Sequence, residues 1–411
     1  MKSVPIHSEL QDSINNKSIV VADHARFDAM DIHRGFIMSL MALSHAQEYS
    51  RLERYSREDW YAPDLWPMTS FFDLFHQIFI SMVVGGGFFM MMGIGIIYLW
   101  EARLKEGWPL EKICQYLIKR GLLLIFLQST ILQLFEIIAE RKFFIYIGVL
   151  FALGACMIGV SLLLYAIYQC KDSKFLKPMH ISYSAPLLLL VFITALSQLI
   201  IRSLIANNTQ ASLWQKLFIL GGDIIIGGIE VSIDFTPIPW FAAVAFGLII
   251  GQILQTQKEK SLRIFLILST LFLSVWLVIR LVYITGITNG SGYNYSSLFC
   301  MSKYPPGFSY FLWSSGINLI GIALIYKSQK SIPYFMNLFL PFKIFGRCAL
   351  FFFVLHWFVY YALSLLWPQK IESLESLLTV WFSGLIMLYL MCTVYDQFKH
   401  RKPKNSFWRM F

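Results

Sequence analysis

Charged residues are scarce in this chain, and acidic residues are the scarcer kind. Only 14% of the 411 residues are charged, against 57% hydrophobic and 17% aromatic, and 34 lysines and arginines outnumber 24 aspartates and glutamates. A soluble globular domain carries about 25% charged residues, so this composition excludes an ordinary soluble fold. Long apolar runs recur along the whole length, which indicates a polytopic membrane protein whose helices satisfy their own backbone groups in lipid.

Sequence patterns that would signal metal or disulfide chemistry are also missing. The six cysteines show no Cys-x-x-Cys spacing, and most lie in apolar runs, which argues against a metal centre and against a disulfide framework. The sequence contains neither a glycine-rich phosphate loop nor a zinc-binding motif, so we expect no metal. Residues 1–25 are polar and lack the apolar segment of a cleaved signal peptide, so we expect them to form a cytoplasmic arm.

The surplus of positive charge, +10 at pH 7, has a topological explanation. Lysines and arginines concentrate in short segments between apolar runs and in the segment 398–411, which we expect to be a basic cytoplasmic tail. Cytoplasmic loops of membrane proteins carry such an excess. We therefore expect the lipid bilayer, and not nucleic acid, as a partner.

The apolar runs predict an all-α fold with about ten transmembrane helices, in one domain that covers 26–397. Residues 213–235 are ambiguous, because they are apolar but contain Asp223 and Glu230. If this segment does not span, all basic segments fall on one side of the membrane; if it spans, the last three change sides. We therefore predict a re-entrant or interfacial segment near 213–235, with both termini cytoplasmic. The predicted spans are 26–48, 71–100, 121–138, 143–168, 184–206, 238–256, 262–286, 307–326, 343–366 and 374–396.

The first apolar helix carries costly ionisable groups on one face. At about 100° per residue, Asp31, Arg34, His45 and Glu48 fall along one stripe, with Asp31 and His45 about 21 Å apart along the axis. Ionisable groups inside a membrane helix indicate function by default. The alternative to a functional role for Asp31 and Arg34 is that they lie at the membrane interface and merely form an ion pair with each other. The predicted topology puts these two near the inner face, and His45 and Glu48 toward the outer face.

Other polar residues are predicted in the outer half of the membrane. As a set they indicate a hydrated cavity that holds a substrate, although singly each has a structural explanation, such as an anchor at a helix end. They are His76, Gln128, Glu136, Arg202, Asp223, Glu230, Asp234, Arg280 and Lys303, with His356 about midway along its span.

Five blocks of sequence, in order over about residues 26–360, carry a family likeness. The chain resembles the heparan-α-glucosaminide N-acetyltransferase family of membrane acyltransferases, including its bacterial members. The blocks are Asp31-x-x-Arg34-Gly35 with His45, Gly87 to Gly95 with Lys119-Arg120-Gly121, Pro237 to Gly251 with Trp240, Lys303-Tyr304-Pro305-Pro306, and Phe345-Gly346-Arg347 with His356.

Two positions depart from the family pattern. Many bacterial relatives have an aspartate directly before the first-helix histidine, where this chain has Ser44. Relatives also tend to have a histidine shortly before the block that aligns with Gly85-Gly86-Gly87, whereas His76, the nearest histidine here, lies further upstream. His76 is therefore only a candidate for that second histidine.

The resemblance implies transfer of an acetyl group from cytosolic acetyl-CoA to a hydroxyl or amine of a sugar or glycan at the outer face. His45 is the expected catalytic residue, either as a base or as a nucleophile that carries the acyl group, and both roles stay open. Glu48 is expected to orient the His45 imidazole, with a solvated helix end as the alternative. His356 and His76 are further catalytic candidates, although a histidine in an apolar helix is more often structural.

The expected donor and acceptor contacts lie at opposite ends of the first helix. Arg34 suits the phosphates of CoA, because a guanidinium matches their geometry, and Asp31 is expected to position it. Lys119 and Arg120 are further candidates, although positive-inside bias explains them equally well. Lys303 is expected to bind the acceptor or to stabilise an oxyanion, with an interfacial anchor as the alternative. The candidates for acceptor binding are Lys303, Tyr304, Asp223, Glu230, Trp240 and Arg280.

A transporter of a sugar- or lipid-linked anion is the alternative function, because broken spans and midplane charges also suit transport. Transporters often show paired halves, however, and the chain has no second copy of the first-helix pattern. We expect a multi-pass protein of a bacterial inner membrane. The acceptor, the acyl length and the oligomeric state, a homodimer included, stay open.

Overall fold

The computed structural model is all-α, as the sequence predicts, and it also contains one small sheet that was not predicted. The predicted arm 1–25 and the predicted span 184–206 lie outside the residues that it describes. Those residues are 28–49, 75–170, 211–257, 260–288, 298–299, 301–331, 337–366, 374–403 and 406–409.

Apolar helices form nearly all of the described chain. The helices are α1 (28–49), α2 (Met82–Lys105), α3 (Leu110–Leu127), α4 (Gln133–Glu140), α5 (Val149–Cys170), α6 (Pro237–Thr256), α7 (Ser261–Thr288), α8 (Phe308–Ser331), α9 (Leu340–Arg347), α10 (Ala349–Leu366) and α11 (Leu374–His400). A short π-helical segment, His76–Ser81, precedes α2, and a second one, Gln128–Leu132, joins α3 to α4.

Eight helical stretches in the described part of the chain are long and apolar enough to cross a membrane. They correspond to eight predicted spans, but three of them were wrongly bounded. The span predicted from 143 begins at Val149, because Ile145–Ile147 form a strand. The span predicted from 121 begins at Leu110, because α3 continues through Lys119 and Arg120, whose charges indicated a loop. The span predicted as 343–366 is divided at Cys348 into α9 and α10. Helix α1 is not among the eight, because its charged residues lower its hydropathy.

Burial separates central from peripheral helices. In the most apolar 18 residues of each helix, 83% are buried in Ile78–Lys105 and 78% in Pro237–Thr256, but only 17% are buried in Ser261–Thr285. Helix α7 therefore lies at the periphery, where its exposed leucines, isoleucines and valines suit contact with lipid. Helices α2 and α6 form the centre of the bundle.

The glycines of α2 let the neighbouring helices approach its backbone closely. At Gly93, an added Cβ would overlap the Val244 carbonyl of α6. Three consecutive glycines face polar side chains one turn apart on α8, and each added Cβ would crowd its partner. The pairs are Gly85 with Tyr310, Gly86 with Ser314, and Gly87 with Asn318.

Helix α1 is packed inside the bundle, where α8, α9 and α11 are among the helices that contact it. His33 Nε2 lies 3.0 Å from Asn318 Oδ1 of α8, and Trp381 of α11 donates its indole N–H to the Ser39 carbonyl at 2.9 Å. At Gly35, an added Cβ would overlap the backbone of α9. Helix α1 therefore lies within the bundle, while the side chains of its polar stripe are only partly buried, between 18% and 36% exposed.

Residues 213–235 form no spanning helix, in agreement with the predicted topology. One helical turn, Leu213–Gln215, and a π-helical segment, Lys216–Leu220, lead into the β-hairpin of β2 (Gly222–Ile226) and β3 (Ile229–Ile233). Gly227 and Gly228 form its turn with φ of 57° and 81°, values that a two-residue hairpin loop requires. Strand β1 (Ile145–Ile147) pairs parallel with β3, which gives a sheet of order β1-β3-β2.

Candidate active site

Helix α1 joins two polar clusters. The histidine cluster consists of His45, Glu48, His76, His356 and Lys303. The basic cluster consists of Arg34, Arg120, Arg347 and Lys399, with Asp31 and Asp396. Because Arg34 and His45 are eleven residues apart on one helix, the clusters are about 16 Å apart along its axis.

His45 and Glu48 form the centre of the histidine cluster. His45 Nδ1 lies 2.9 Å from Glu48 Oε2, one helical turn away, and the side chains are 18% and 36% exposed. A carboxylate only accepts hydrogen bonds, so Nδ1–H of the neutral imidazole donates to it and Nε2 keeps its lone pair. The pair therefore presents Nε2 as the basic or nucleophilic atom.

Helix α10 brings a second histidine and a tryptophan to His45. The ring centroid of His45 lies 5.0 Å from that of His356 and 4.3 Å from that of Trp357. Both α10 residues are buried. Tyr49 and Phe135 extend this aromatic wall, with their ring centroids 6.3 and 5.4 Å from that of Trp357. His356 thus meets His45, as its position in the sequence suggested.

His76 also lies beside this part of α1. Its Nε2 is 3.3 Å from Ser44 Oγ, the side chain directly before His45. The hydroxyl of Ser44 therefore links His76 to the residue that precedes His45 on α1. This contact brings His76 to the cluster despite its unusual distance from the glycine block.

Lys303 enters the cluster from the loop between α7 and α8. Its Nζ lies 4.9 Å from the centroid of the Tyr304 ring, and Tyr304 packs edge-on against Phe235 at 5.1 Å. Burial lowers the pKa of Lys303 to about 8, and the negative charge of Glu48 opposes that shift. Glu48 thus acts electrostatically on both His45 and Lys303.

Arg280 holds the loop that carries Lys303. Its Nε donates to the Leu298 carbonyl at 2.8 Å, and its guanidinium lies 4.6 Å from the Tyr283 ring centroid. Arg280 is buried, so its observed contacts are with the protein itself.

The other predicted acceptor residues lie away from the histidine cluster. Trp240 is buried in the core, where it stacks on Phe89 with centroids 4.5 Å apart. Asp223 and Glu230 lie on the hairpin, where Glu230 pairs with Lys142 and the Asp223 carbonyl accepts from Lys216. The structure does not bring these residues to His45.

The basic cluster assembles at the other end of α1. Arg34 Nη1 lies 3.4 Å from Asp31 Oδ1 and donates to the Gly346 carbonyl at 3.2 Å. Arg120 and Lys399 lie close enough to Arg34 for the three positive charges to repel one another. Three helices, α1, α3 and α11, therefore direct cations into one region, which suits a polyanion.

Arg347 and Lys399 complete the basic cluster and were missed by sequence reasoning. Arg347 Nη1 lies 3.3 Å from Asp396 Oδ2, and Lys399 Nζ donates to the Arg347 carbonyl at 3.1 Å. The block Phe345-Gly346-Arg347 could have indicated Arg347, but Lys399 resembled an ordinary charge of a basic tail. Lys119 is exposed and makes no contact with this cluster in the described part of the chain.

Trp357 was also missed, because a tryptophan in an apolar helix carries no signal of its own. Only its place directly after His356 could have indicated it. Within the described ranges, no group of three or more His, Cys, Asp or Glu residues could hold a metal ion.

Comparison with known proteins identifies the family. The family model described as "Heparan-alpha-glucosaminide N-acetyltransferase, catalytic" matches residues 26–280, more than half of the chain. No curated protein shows significant similarity to the chain. The matched range contains all of α1, from Asp31 to Glu48, and the hairpin. This chain therefore belongs to the heparan-alpha-glucosaminide N-acetyltransferase family, whose members are membrane acetyltransferases.

Proposed function

We propose that this membrane acetyltransferase takes acetyl groups from cytosolic acetyl-CoA at the basic cluster. It transfers them to a hydroxyl or amine of a sugar or glycan at the histidine cluster. The observation that carries the proposal is the His45–Glu48 pair, packed against His356, on the same helix that presents Arg34 at its other end.

His45 is the catalytic residue of the proposed reaction. Attack on a thioester requires loss of a proton from the acceptor, and an imidazole titrates near neutral pH. Nε2 acts either as that base or as the nucleophile that carries the acetyl group. In both cases the ring gains positive charge, and the Glu48 carboxylate stabilises it.

The basic cluster binds the phosphates of CoA. Arg34 offers a guanidinium, which forms two parallel hydrogen bonds to phosphate, and Asp31 keeps it oriented. Arg120 and Lys399 add further positive charge, so the four cations of the cluster outnumber its two aspartates, Asp31 and Asp396. The positive-inside rule favours the cytosolic side for this end of the bundle, with both termini cytoplasmic. A bacterial inner membrane fits this arrangement.

The histidine cluster binds the acceptor at the outer side. Lys303 and Tyr304 contact its polar groups, with Arg280 fixing their loop. His76 and His356 hold the remaining polar positions around His45. Family membership favours this enzyme over a transporter, and nothing in the arrangement of the two clusters favours transport.

Loss of His45 tests the reaction. In membrane vesicles with labelled acetyl-CoA and amino sugars or glycans, His45→Ala should lose transfer while the purified variant still binds CoA with wild-type affinity. The CoA measurement is the control for folding, because its site lies about 16 Å away along α1. Transfer at the wild-type rate by this variant would refute the catalytic role of His45.

Sealed vesicles test the direction of transfer. Acetyl-CoA should support transfer when the cytoplasmic face is exposed to it, and should fail when only the outer face is exposed. The opposite dependence would reverse the assignment of the two clusters to the two membrane faces.

A further inference from the structure

The indole N–H of Trp357 is a buried hydrogen-bond donor with no acceptor in the described part of the protein. Trp357 is 8% exposed, and among the described residues its ring is the nearest aromatic ring to His45, with centroids 4.3 Å apart. An indole nitrogen can only donate, so a neighbouring lone pair is the one partner that would satisfy it.

Other tryptophans of the bundle show how such an N–H is satisfied by a backbone carbonyl. Trp313 donates to the Ile78 carbonyl at 3.0 Å, and Trp381 donates to the Ser39 carbonyl at 2.9 Å. A buried donor without a partner costs about 1–3 kcal/mol, so it calls for an explanation. Among the described residues, Trp100 and Trp240 also have a buried N–H without a partner, but Trp100 packs against Tyr168 and Trp240 stacks on Phe89, and neither ring contacts His45.

We propose that Trp357 Nε1–H donates to the carbonyl oxygen of the acetyl group and stabilises the oxyanion that forms on it. The inference rests on the proposed acetyl transfer at His45. It makes Trp357 a further catalytic residue, because its donor would touch the reacting group.

The oxyanion arises by either route open to His45. As a base, Nε2 takes the proton of the acceptor while the acceptor atom bonds to the acetyl carbon and the carbonyl electron pair moves onto oxygen. Collapse then re-forms the C=O bond and breaks the C–S bond, and the thiolate of CoA leaves with that proton. As a nucleophile, Nε2 itself bonds to the acetyl carbon and CoA leaves as its thiolate; the acceptor then bonds to that carbon, the C–N bond to His45 breaks, and the acceptor's proton passes to the released thiolate.

The surroundings of Trp357 favour a strong hydrogen bond from its N–H to the oxyanion. His356, Tyr49 and Phe135 pack around Trp357, which excludes water and strengthens a hydrogen bond to a developing charge. Lys303 is less suited to this role, because its ammonium already lies over Tyr304 and within the field of Glu48.

Removing the N–H alone tests the proposal. Trp357→Phe keeps an aromatic ring, and incorporation of 3-benzothienylalanine at position 357 replaces only the N–H with sulfur. Each change should lower kcat by roughly 100-fold, the usual effect of losing one oxyanion donor, with little change in KM for acetyl-CoA. Trp100→Phe is the matched control, because it removes an unpaired buried N–H elsewhere and should leave kcat unchanged.

An infrared measurement gives a readout besides turnover. With acetyl-CoA carrying a ¹³C carbonyl bound to the full-length protein, the thioester band should move to higher frequency when the 357 N–H is replaced, since a hydrogen bond is lost. If the benzothienyl protein retains wild-type kcat and an unchanged band, the oxyanion role of Trp357 is overturned. That result, with His45→Ala still inactive, would leave the proposed function intact; an active His45→Ala would refute both.

Discussion

The two ends of α1 are built in different ways. At the basic cluster, α1 meets α9 backbone to backbone, because Gly35 and Gly346 leave no room for a side chain. Around that contact, charged side chains pair with carboxylates, as Arg34 does with Asp31. At the histidine cluster, α1 meets α10 through rings, and a single carboxylate, Glu48, acts on both His45 and Lys303.

This difference suits two different tasks. A backbone contact fixes α1 rigidly, and surrounding cations can then bind a flexible polyanion in several ways without losing the helix position. Aromatic packing excludes water and leaves few polar groups, so each remaining one acts in a low-dielectric environment. We therefore expect substitutions at the basic cluster to change binding or folding, and substitutions at the histidine cluster to change the chemical step.

The largest expected effect concerns the backbone contact at the basic cluster. Gly346→Val should destabilise the protein by more than about 3 kcal/mol, because its Cβ would overlap the Asp31 carbonyl and neither backbone can move independently. Yield and thermal midpoint in detergent are the measurements. Gly95→Ala is the control, since its Cβ would meet only Arg34 Nη2 at 3.6 Å. Equal midpoints for the two variants would contradict the rigid contact.

The next effect concerns the charge at the histidine cluster. Glu48→Gln keeps the size of the side chain but removes the charge that stabilises a protonated His45, so kcat should fall about 10- to 100-fold. KM for acetyl-CoA should change little. Steady-state kinetics measure both, with the exposed Glu375→Gln of α11 as a control that retains wild-type kcat. A rise in KM without loss of kcat would assign Glu48 to binding instead.

A smaller effect is expected from the guanidinium at the basic cluster. Arg34→Lys keeps the charge but loses the paired hydrogen bonds to phosphate, so KM for acetyl-CoA should rise about tenfold while kcat is retained. Titration of the purified protein with CoA should give the same ratio. Arg263→Lys is a matched control, because Arg263 is an exposed arginine in the first turn of α7. A change in kcat alone would contradict the division of tasks between the two clusters.

The smallest effect is a shift in pH dependence at the histidine cluster. Lys303 has a pKa lowered to about 8, so it loses its positive charge as pH rises through that value, and transfer should decline on the alkaline side. Lys303→Arg should move this decline upward by at least about one pH unit, since a guanidinium stays protonated. Rate measurements between pH 6 and 10 would check this, and an unmoved decline would mean that another group causes it.

Local properties of the sequence were enough to predict the class of fold and much of the α1 stripe. Apolar length and charge bias are local properties, so eight predicted spans and the absence of a spanning helix in 213–235 are confirmed. Helical spacing alone put His45 and Glu48 on one face, one turn apart, and their hydrogen bond follows from that spacing. The predicted start of one span at residue 121 was wrong, because a charged residue such as Arg120 can continue a helix when it faces other polar groups within the bundle.

Which distant residues join that stripe depends on the tertiary packing and could not be predicted from the sequence. The meeting of His45 with His356 and Trp357, of Ser44 with His76, and of Arg34 with Arg120 and Lys399 depends on how helices far apart in sequence pack together. Glycines set that packing by letting backbones touch, as Gly346 does at Asp31, and such contacts leave no periodic signal in a sequence. The same packing puts the Trp357 ring beside His45 and leaves its N–H without a partner among the described residues, a property that belongs to the fold and not to any one segment.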